Sequence, residues 1–115
     1  MYTYYYGDVY YVDFGAPVGS EQGGVRPAVV VSNNIGNQFS PILIVVPLTT
    51  SEKGYLPTHV SMNIGLVPNT ALCEQIRTIS KLRVKGHRIA HFPENIMNEI
   101  DAAINVAKDK NLKIY

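Results

Sequence analysis

The 115-residue chain has no tryptophan and a single cysteine, Cys73. One thiol excludes an internal disulfide framework and suits a reducing cytosol. No apolar run approaches the ~20 residues that span a bilayer; the longest, Pro41 to Leu48, is strand-sized. Met1 to Tyr6 lacks the basic start and apolar stretch of a secretion signal. Charge is scarce and balanced, ten Lys and Arg against nine Asp and Glu, so no whole-molecule field announces a nucleic-acid partner. Also missing are a Gly-x-x-x-x-Gly-Lys-Ser/Thr loop, a Gly-x-Gly-x-x-Gly turn and paired Cys-x-x-Cys motifs, which removes support for phosphate-loop ATPases, dinucleotide enzymes and zinc fingers. What remains is 46% hydrophobic and 17% charged, a globular composition, without repeats or low-complexity linkers. At this length it implies one domain, 1–115, with a real core.

The first two-thirds reads as short strands broken by turn chemistry. Asp8 to Phe14 is aromatic and β-branched, as strands are. Gly15 to Gly24 holds too many glycines for regular structure. Ala28 to Val31 is a short buried strand, stopped by Asn33 to Asn37, residues that tolerate turns. Pro41 to Val46 is apolar throughout, which predicts a central strand covered on both faces. His59 to Ile64 alternates, with Val60, Met62 and Ile64 on one face and His59, Ser61 and Asn63 on the other. Ala71 to Ile76 and Ile79 to Val84 read as two more strands. After Phe92 the period becomes 3.6. Pro93 suits a first helical position and Glu94 the positive end of the helix, and Ile96, Ile100, Ala103, Ile104 and Ala107 make one apolar stripe running to Lys108. The fold class is mostly β: a small antiparallel β-barrel with a C-terminal α-helix lying on the sheet.

Three features carry candidate chemistry. Pro27 holds Arg26 extended where a glycine-rich loop enters a strand, and a guanidinium fixed there serves either a phosphate site or a structural ion pair. Leu48-Thr49-Thr50-Ser51 sets three hydroxyls at the end of the buried strand, either capping the ladder or orienting a ribose or phosphate oxygen. Five of the ten basic residues (Arg77, Lys81, Arg83, Lys85, Arg88) fall between 77 and 88 with no acid among them. In an extended chain Lys81, Arg83 and Lys85 share a face, as a defended edge strand or a track for a phosphate backbone. His87 and His91 precede Pro93 and read as ordinary loop or strand histidines rather than a metal pair, and Cys73 reads as a buried, inert thiol.

Gly7-Asp8-Val9-Tyr10, Gly19 to Pro27, Pro47-Leu48-Thr49, Leu56 to Val60 and Glu74 to Ile79 resemble, in order and spacing, the MazF/PemK family of toxins. The likeness runs from about Gly7 to Lys108. It implies a small SH3-like barrel of the CcdB/PemK type and a cytoplasmic bacterial endoribonuclease of a type II toxin–antitoxin system. Such an enzyme cuts single-stranded RNA at a short motif without metal or other cofactor and so stops translation. It also implies a homodimer with RNA crossing the interface, and a cognate antitoxin whose acidic, largely disordered segment competes for that groove. Matched residue by residue, the catalytic pair falls on Arg26 and Thr49, and the RNA contacts on Ser20, Glu21, Gln22, Gln75, Arg77 and Thr78. In one branch of the family an arginine and an aspartate beside a cysteine act as acid and base; here Leu72 and Glu74 stand there, so that assignment does not transfer whole. Glu74 and Glu21 are the candidate general bases. Phe39, Tyr55 and Arg77 are candidates for base stacking, and the tyrosines before Gly7 read as an N-terminal edge strand.

Fold alone leaves two other functions open: a DNA gyrase poison like CcdB, and a non-catalytic nucleic-acid-binding barrel. Arg26-Pro27 and Thr49 favour the nuclease. A structural carboxylate on Arg26 would favour the non-catalytic barrel.

Overall fold

The computed structural model describes residues 3–51 and 53–111. Seven strands form one curled antiparallel sheet: β1 (Asp8–Asp13), β2 (Val25–Val30), β3 (Ile42–Thr49), β4 (His59–Ile64), β5 (Val67–Leu72), β6 (Arg77–Ser80) and β7 (Val84–His91). Two helices complete the order, α1 (Asn34–Phe39) between β2 and β3, and α2 (Glu94–Lys108) after β7. The strands run β4-β5-β3-β2-β1-β7, with β6 on β3. The eight-residue β3 is the spine: Ile42 to Val45 pair with β6, Val45 to Pro47 with β2, and Leu48 and Thr49 with β5. One strand serving three partners curls the sheet into a half-barrel.

Alternation along β3 explains its continuous apolar run. Val46 and Leu48 join Val9, Val29, Val60 and Ala71 beneath Met97, Ile100, Ala103 and Ile104 of α2. Leu43 and Val45 point the other way, into a second core with Tyr10, Val12, Phe14, Val30 and Ile79. Coverage on both faces fails at the start of the strand, where Ile42 and Ile44 are exposed, because α2 lies over β4 and the Cys73–Gln75 turn instead. Ile100, Ala103 and Ile104 of the expected helical stripe are buried, but at its ends Ile96 and Ala107 are only half-buried and Met97 is buried instead; Pro93 sits at the cap rather than inside the helix.

Other expectations are corrected. Asn33 to Asn37 does not form a simple turn. Asn33 caps α1 by accepting from the Gly36 N–H at 2.8 Å, and the buried Asn37 amide donates to the Ser32 carbonyl at 2.8 Å. The strand expected over Ala71 to Ile76 ends at Leu72, followed by a 3-10 turn at Cys73–Gln75. The strand expected over Ile79 to Val84 breaks at a second 3-10 turn, Lys81–Arg83, because Ser80 Oγ accepts from the Leu82 N–H at 3.2 Å. Tyr4 to Tyr6 form no strand; Tyr4 packs edge-on to Tyr10, with ring centroids 5.1 Å apart, and Tyr2 lies outside the described residues. His87 and His91 lie on β7, where His91 Nδ1 meets the buried Asp8 carboxylate at 2.8 Å. Among the described residues no helix is long and apolar enough to cross a membrane.

Cys73 is fully buried. Burial, reinforced by the nearby Glu74 charge, pushes its thiol up from 9.0 to about 12. Burial and the Asp8 carboxylate push the Tyr10 phenol up from 10.0 to about 12. The unfolded chain therefore releases these protons at a lower pH than the folded one, so stability is intact below pH 9.0 and falls as pH rises toward about 12. Urea midpoints at stepped pH check this. In Cys73→Ala the decline is expected to begin only above pH 10.0, where Tyr10 starts to contribute.

Candidate active site

The glycine-rich loop between β1 and β2 folds on itself. Glu21 Oε1 accepts from the Val18 N–H at 2.8 Å, and the Gly24 N–H donates to the Gly15 carbonyl at 2.8 Å. Gly24 takes a φ of +71°, and a Cβ on Gly23 would come within 2.4 Å of the Pro17 ring, so both positions require glycine. The Gly23 carbonyl then accepts from Arg26 Nε at 2.9 Å. This bond aims the guanidinium and leaves its terminal nitrogens to act elsewhere. Among the described residues the ion pairs join His59 to Glu74 and Asp8 to Arg88 and His91, and none holds Arg26. A structural arginine neutralised by a carboxylate across the barrel is not what is found.

Thr49 ends β3 and is 2% exposed, with Oγ1 accepting from the Ser51 N–H at 3.1 Å. The β2–β3 register pairs Ala28 with Pro47 and Val29 with Val46. The pairing ends at Ala28 and Pro47; alternation puts Arg26, two residues before Ala28, and Thr49, two after Pro47, on the face shared by Ala28, Pro47 and Val45. Arg77, opposite Val45 on β6, shares that face as well. Register and alternation thus bring two arginines and a hydroxyl to one side of the sheet.

A groove of about 630 Å³ opens on this side, lined by Ser20, Glu21, Gln22, Gln75 and Arg77 together with Phe14, Pro47 and Glu74. Gln75 clasps the loop: its Oε1 accepts from the Gln22 N–H at 2.8 Å and its Nε2 donates to the Ser20 carbonyl at 3.3 Å. The Gln22 Oε1 is buried and unpartnered. Arg77 lies over the Phe14 ring, 5.2 Å from its centroid. Of the six residues expected to touch RNA, five border this groove; Thr78 does not, since alternation turns it to the opposite face of β6.

The two candidate bases are otherwise engaged. Glu74 accepts from the Thr58 hydroxyl at 3.2 Å and pairs with His59 Nε2 at 3.1 Å. Glu21 holds its own loop. The basic strip also dissolves: Lys81 donates to the Asn37 carbonyl at 2.5 Å and Arg83 to the Asp13 carbonyl at 3.1 Å, so Lys81, Arg83 and Lys85 do not share a strand face. Among the stacking candidates, Phe39 and Tyr55 are exposed but neither borders this groove. Sequence reasoning missed Phe14 as the platform under Arg77, because an aromatic at a strand end reads as core.

A curled sheet with one terminal helix and a polar groove between a β1–β2 loop and β6 is the architecture of small barrel toxins. Residues 5–107 match the family described as PemK-like, MazF-like toxin of type II toxin–antitoxin system. Endoribonuclease EndoA of Bacillus subtilis (strain 168) is 43% identical over 106 residues, 88% of this chain and 90% of that protein. MazF of Deinococcus radiodurans superposes with a TM-score of 0.80 at 25% identity, covering 91% of this chain and 96% of that one. An endoribonuclease in complex with its cognate antitoxin, from Mycobacterial species, gives 0.74 at 28% identity, covering 90% and 92%. The chain belongs to the PemK/MazF family of toxins.

Proposed function

We propose that this endoribonuclease cuts single-stranded RNA at a short motif, without metal, by turning the substrate's own 2′-hydroxyl on the adjacent phosphorus. The 2′-oxygen bonds to phosphorus as the bond to the 5′-oxygen breaks, leaving a 2′,3′-cyclic phosphate and, after the leaving oxygen takes a proton, a 5′-hydroxyl. Negative charge grows on the nonbridging oxygens, and Arg26 supplies a permanent cation with free donors there. Thr49, too weak an acid to serve as a free base at neutral pH, positions the phosphate or the 2′-hydroxyl. Ser20, Glu21, Gln22, Gln75 and Arg77 hold the neighbouring nucleotides, with the outer face of the Arg77 guanidinium available for stacking a base. Thr78 contacts RNA only where the strand wraps to the other face of β6. Glu21 takes the 2′-proton in preference to Glu74, whose two oxygens are both bonded.

The observation that carries this reading is Arg26 on the same sheet face as Thr49, aimed by the Gly23 carbonyl and without an acidic partner among the described residues. A cytoplasmic homodimer and a cognate antitoxin whose acidic segment fills the groove extend it. The antitoxin complex of the Mycobacterial relative supports this partner, as does the positive charge of Arg77. The test is incubation of a long single-stranded RNA with the protein in EDTA, mapping of the cuts and chemical analysis of the ends. Cuts at one short motif ending in cyclic phosphate are expected; a requirement for Mg²⁺ or 3′-hydroxyl ends would overturn the mechanism.

A further inference from the structure

Beyond Thr49 lies a second cleft of different chemistry. β5 pairs with both β3 and β4, and one register row crosses all three strands: Thr49 opposite Thr70, and Thr70 opposite Ser61. Directly opposed residues project to one face with Cβ atoms about 5 Å apart, so three hydroxyls stand in line across adjacent strands. Asn63, two residues from Ser61, shares their face. Thr49, Ser61, Asn63, Asn69 and Thr70 border a cleft of about 500 Å³ whose lining carries no charged side chain. Asn69 is 5% exposed; its Nδ2 donates to the Val67 carbonyl at 3.2 Å, and its Oδ1 has no partner. Asn69 stands opposite Met62, so alternation turns its side chain to the other face of β5, away from the hydroxyl row.

Pro47 borders the first groove and Thr49 this cleft. Two residues apart on the same face of β3, they are separated by roughly 6.7 Å, about one nucleotide step of an extended strand. RNA whose scissile phosphate sits at Arg26 and Thr49 therefore has one neighbour in each recess.

We infer that the second cleft is a nucleoside subsite, taking the base and ribose on the far side of the cut. Without a cation it lacks the charge that favours a phosphate over a neutral group. Its hydroxyls and the Asn63 amide match ribose oxygens and base edges. The cleft thereby contributes to the cleavage motif. This inference rests on the RNA-cleavage reading above.

The experiment uses an oligonucleotide carrying the mapped cut site and two derivatives, each with one flanking base removed and its ribose kept. Ser61 and Asn63 are exposed, so Ser61→Ala/Asn63→Ala leaves the core untouched, and its fold is checked by circular dichroism. In the wild type, removing the base on the cleft side is expected to raise KM about tenfold, the net worth of an ordinary hydrogen bond. In the double variant KM for the intact oligonucleotide rises to match, and removing that base has little further effect. Removal on the other side costs both proteins equally. An undiminished penalty on both sides in the double variant overturns the subsite. If the wild type cuts no RNA, the catalytic reading falls instead, and titration of four single-stranded homo-oligonucleotides judges the cleft alone: weaker binding by the double variant supports it, unchanged binding overturns it.

Discussion

Arg26→Ala is expected to lose about 10²–10³ in kcat/KM on a cleavable oligonucleotide, the usual consequence of removing one donor aimed at a developing oxyanion. Its thermal midpoint is expected to move little, because the side chain makes one described hydrogen bond, to the Gly23 carbonyl, and no ion pair among the described residues. This combination separates catalysis from support: a structural arginine would show the opposite pattern, with lower stability and retained cleavage. Arg26→Lys retains charge but not the planar fork, so it recovers only part of the rate. Full activity in Arg26→Ala, measured on refolded and monodisperse protein, would remove the proposed centre.

The largest effect on stability is expected at Ile100. It is fully buried on the sheet-facing side of α2, packed with Met97, Ala103, Ile104, Val46 and Leu48 in one core. Ile100→Ala removes three carbons from a site closed by a helix on one side and a sheet on the other, so the cavity collapses poorly. A loss of about 2–5 kcal/mol is expected, seen as a fall in Tm of roughly 8–20 °C for a domain of this size. Urea denaturation at constant m-value checks it. Ile96→Ala, on the half-buried flank of the same helix, should cost clearly less; equal losses would contradict the observed orientation of α2.

The elements legible in the sequence are those whose pattern comes from burial alone. β3 announces itself by a continuous apolar run, β4 by alternation, and α2 by its period. Where a single side-chain hydrogen bond decides the path, composition is mute. Asn33 and Asn37 look like turn residues but build a helical turn, and Ser80 looks like a strand residue yet stops one. The basic cluster from Arg77 to Arg88 failed for that reason, since the turn Ser80 caps sends Lys81 and Arg83 to backbone carbonyls. At the site, Pro27 and the strand-end hydroxyls mark Arg26 and Thr49 as candidates, and the motif resemblance makes them a pair. That they share a sheet face follows only from the register of β2 on β3. Thr78 was matched by motif, although its alternation with Arg77 already put the two on opposite faces. The hydroxyl row from Thr49 through Thr70 to Ser61 draws on three separated segments, and its middle strand was unrecognised because it begins with Val67-Pro68.

Gly23 touches the Pro17 ring on one side and steers Arg26 on the other. The outline of the loop and the bearing of the catalytic cation are thus mechanically one part. Anyone grafting a new loop here to change which RNA word is cut must move residues 15–26 as a single cassette; exchanging the tip alone risks swinging the guanidinium off its target.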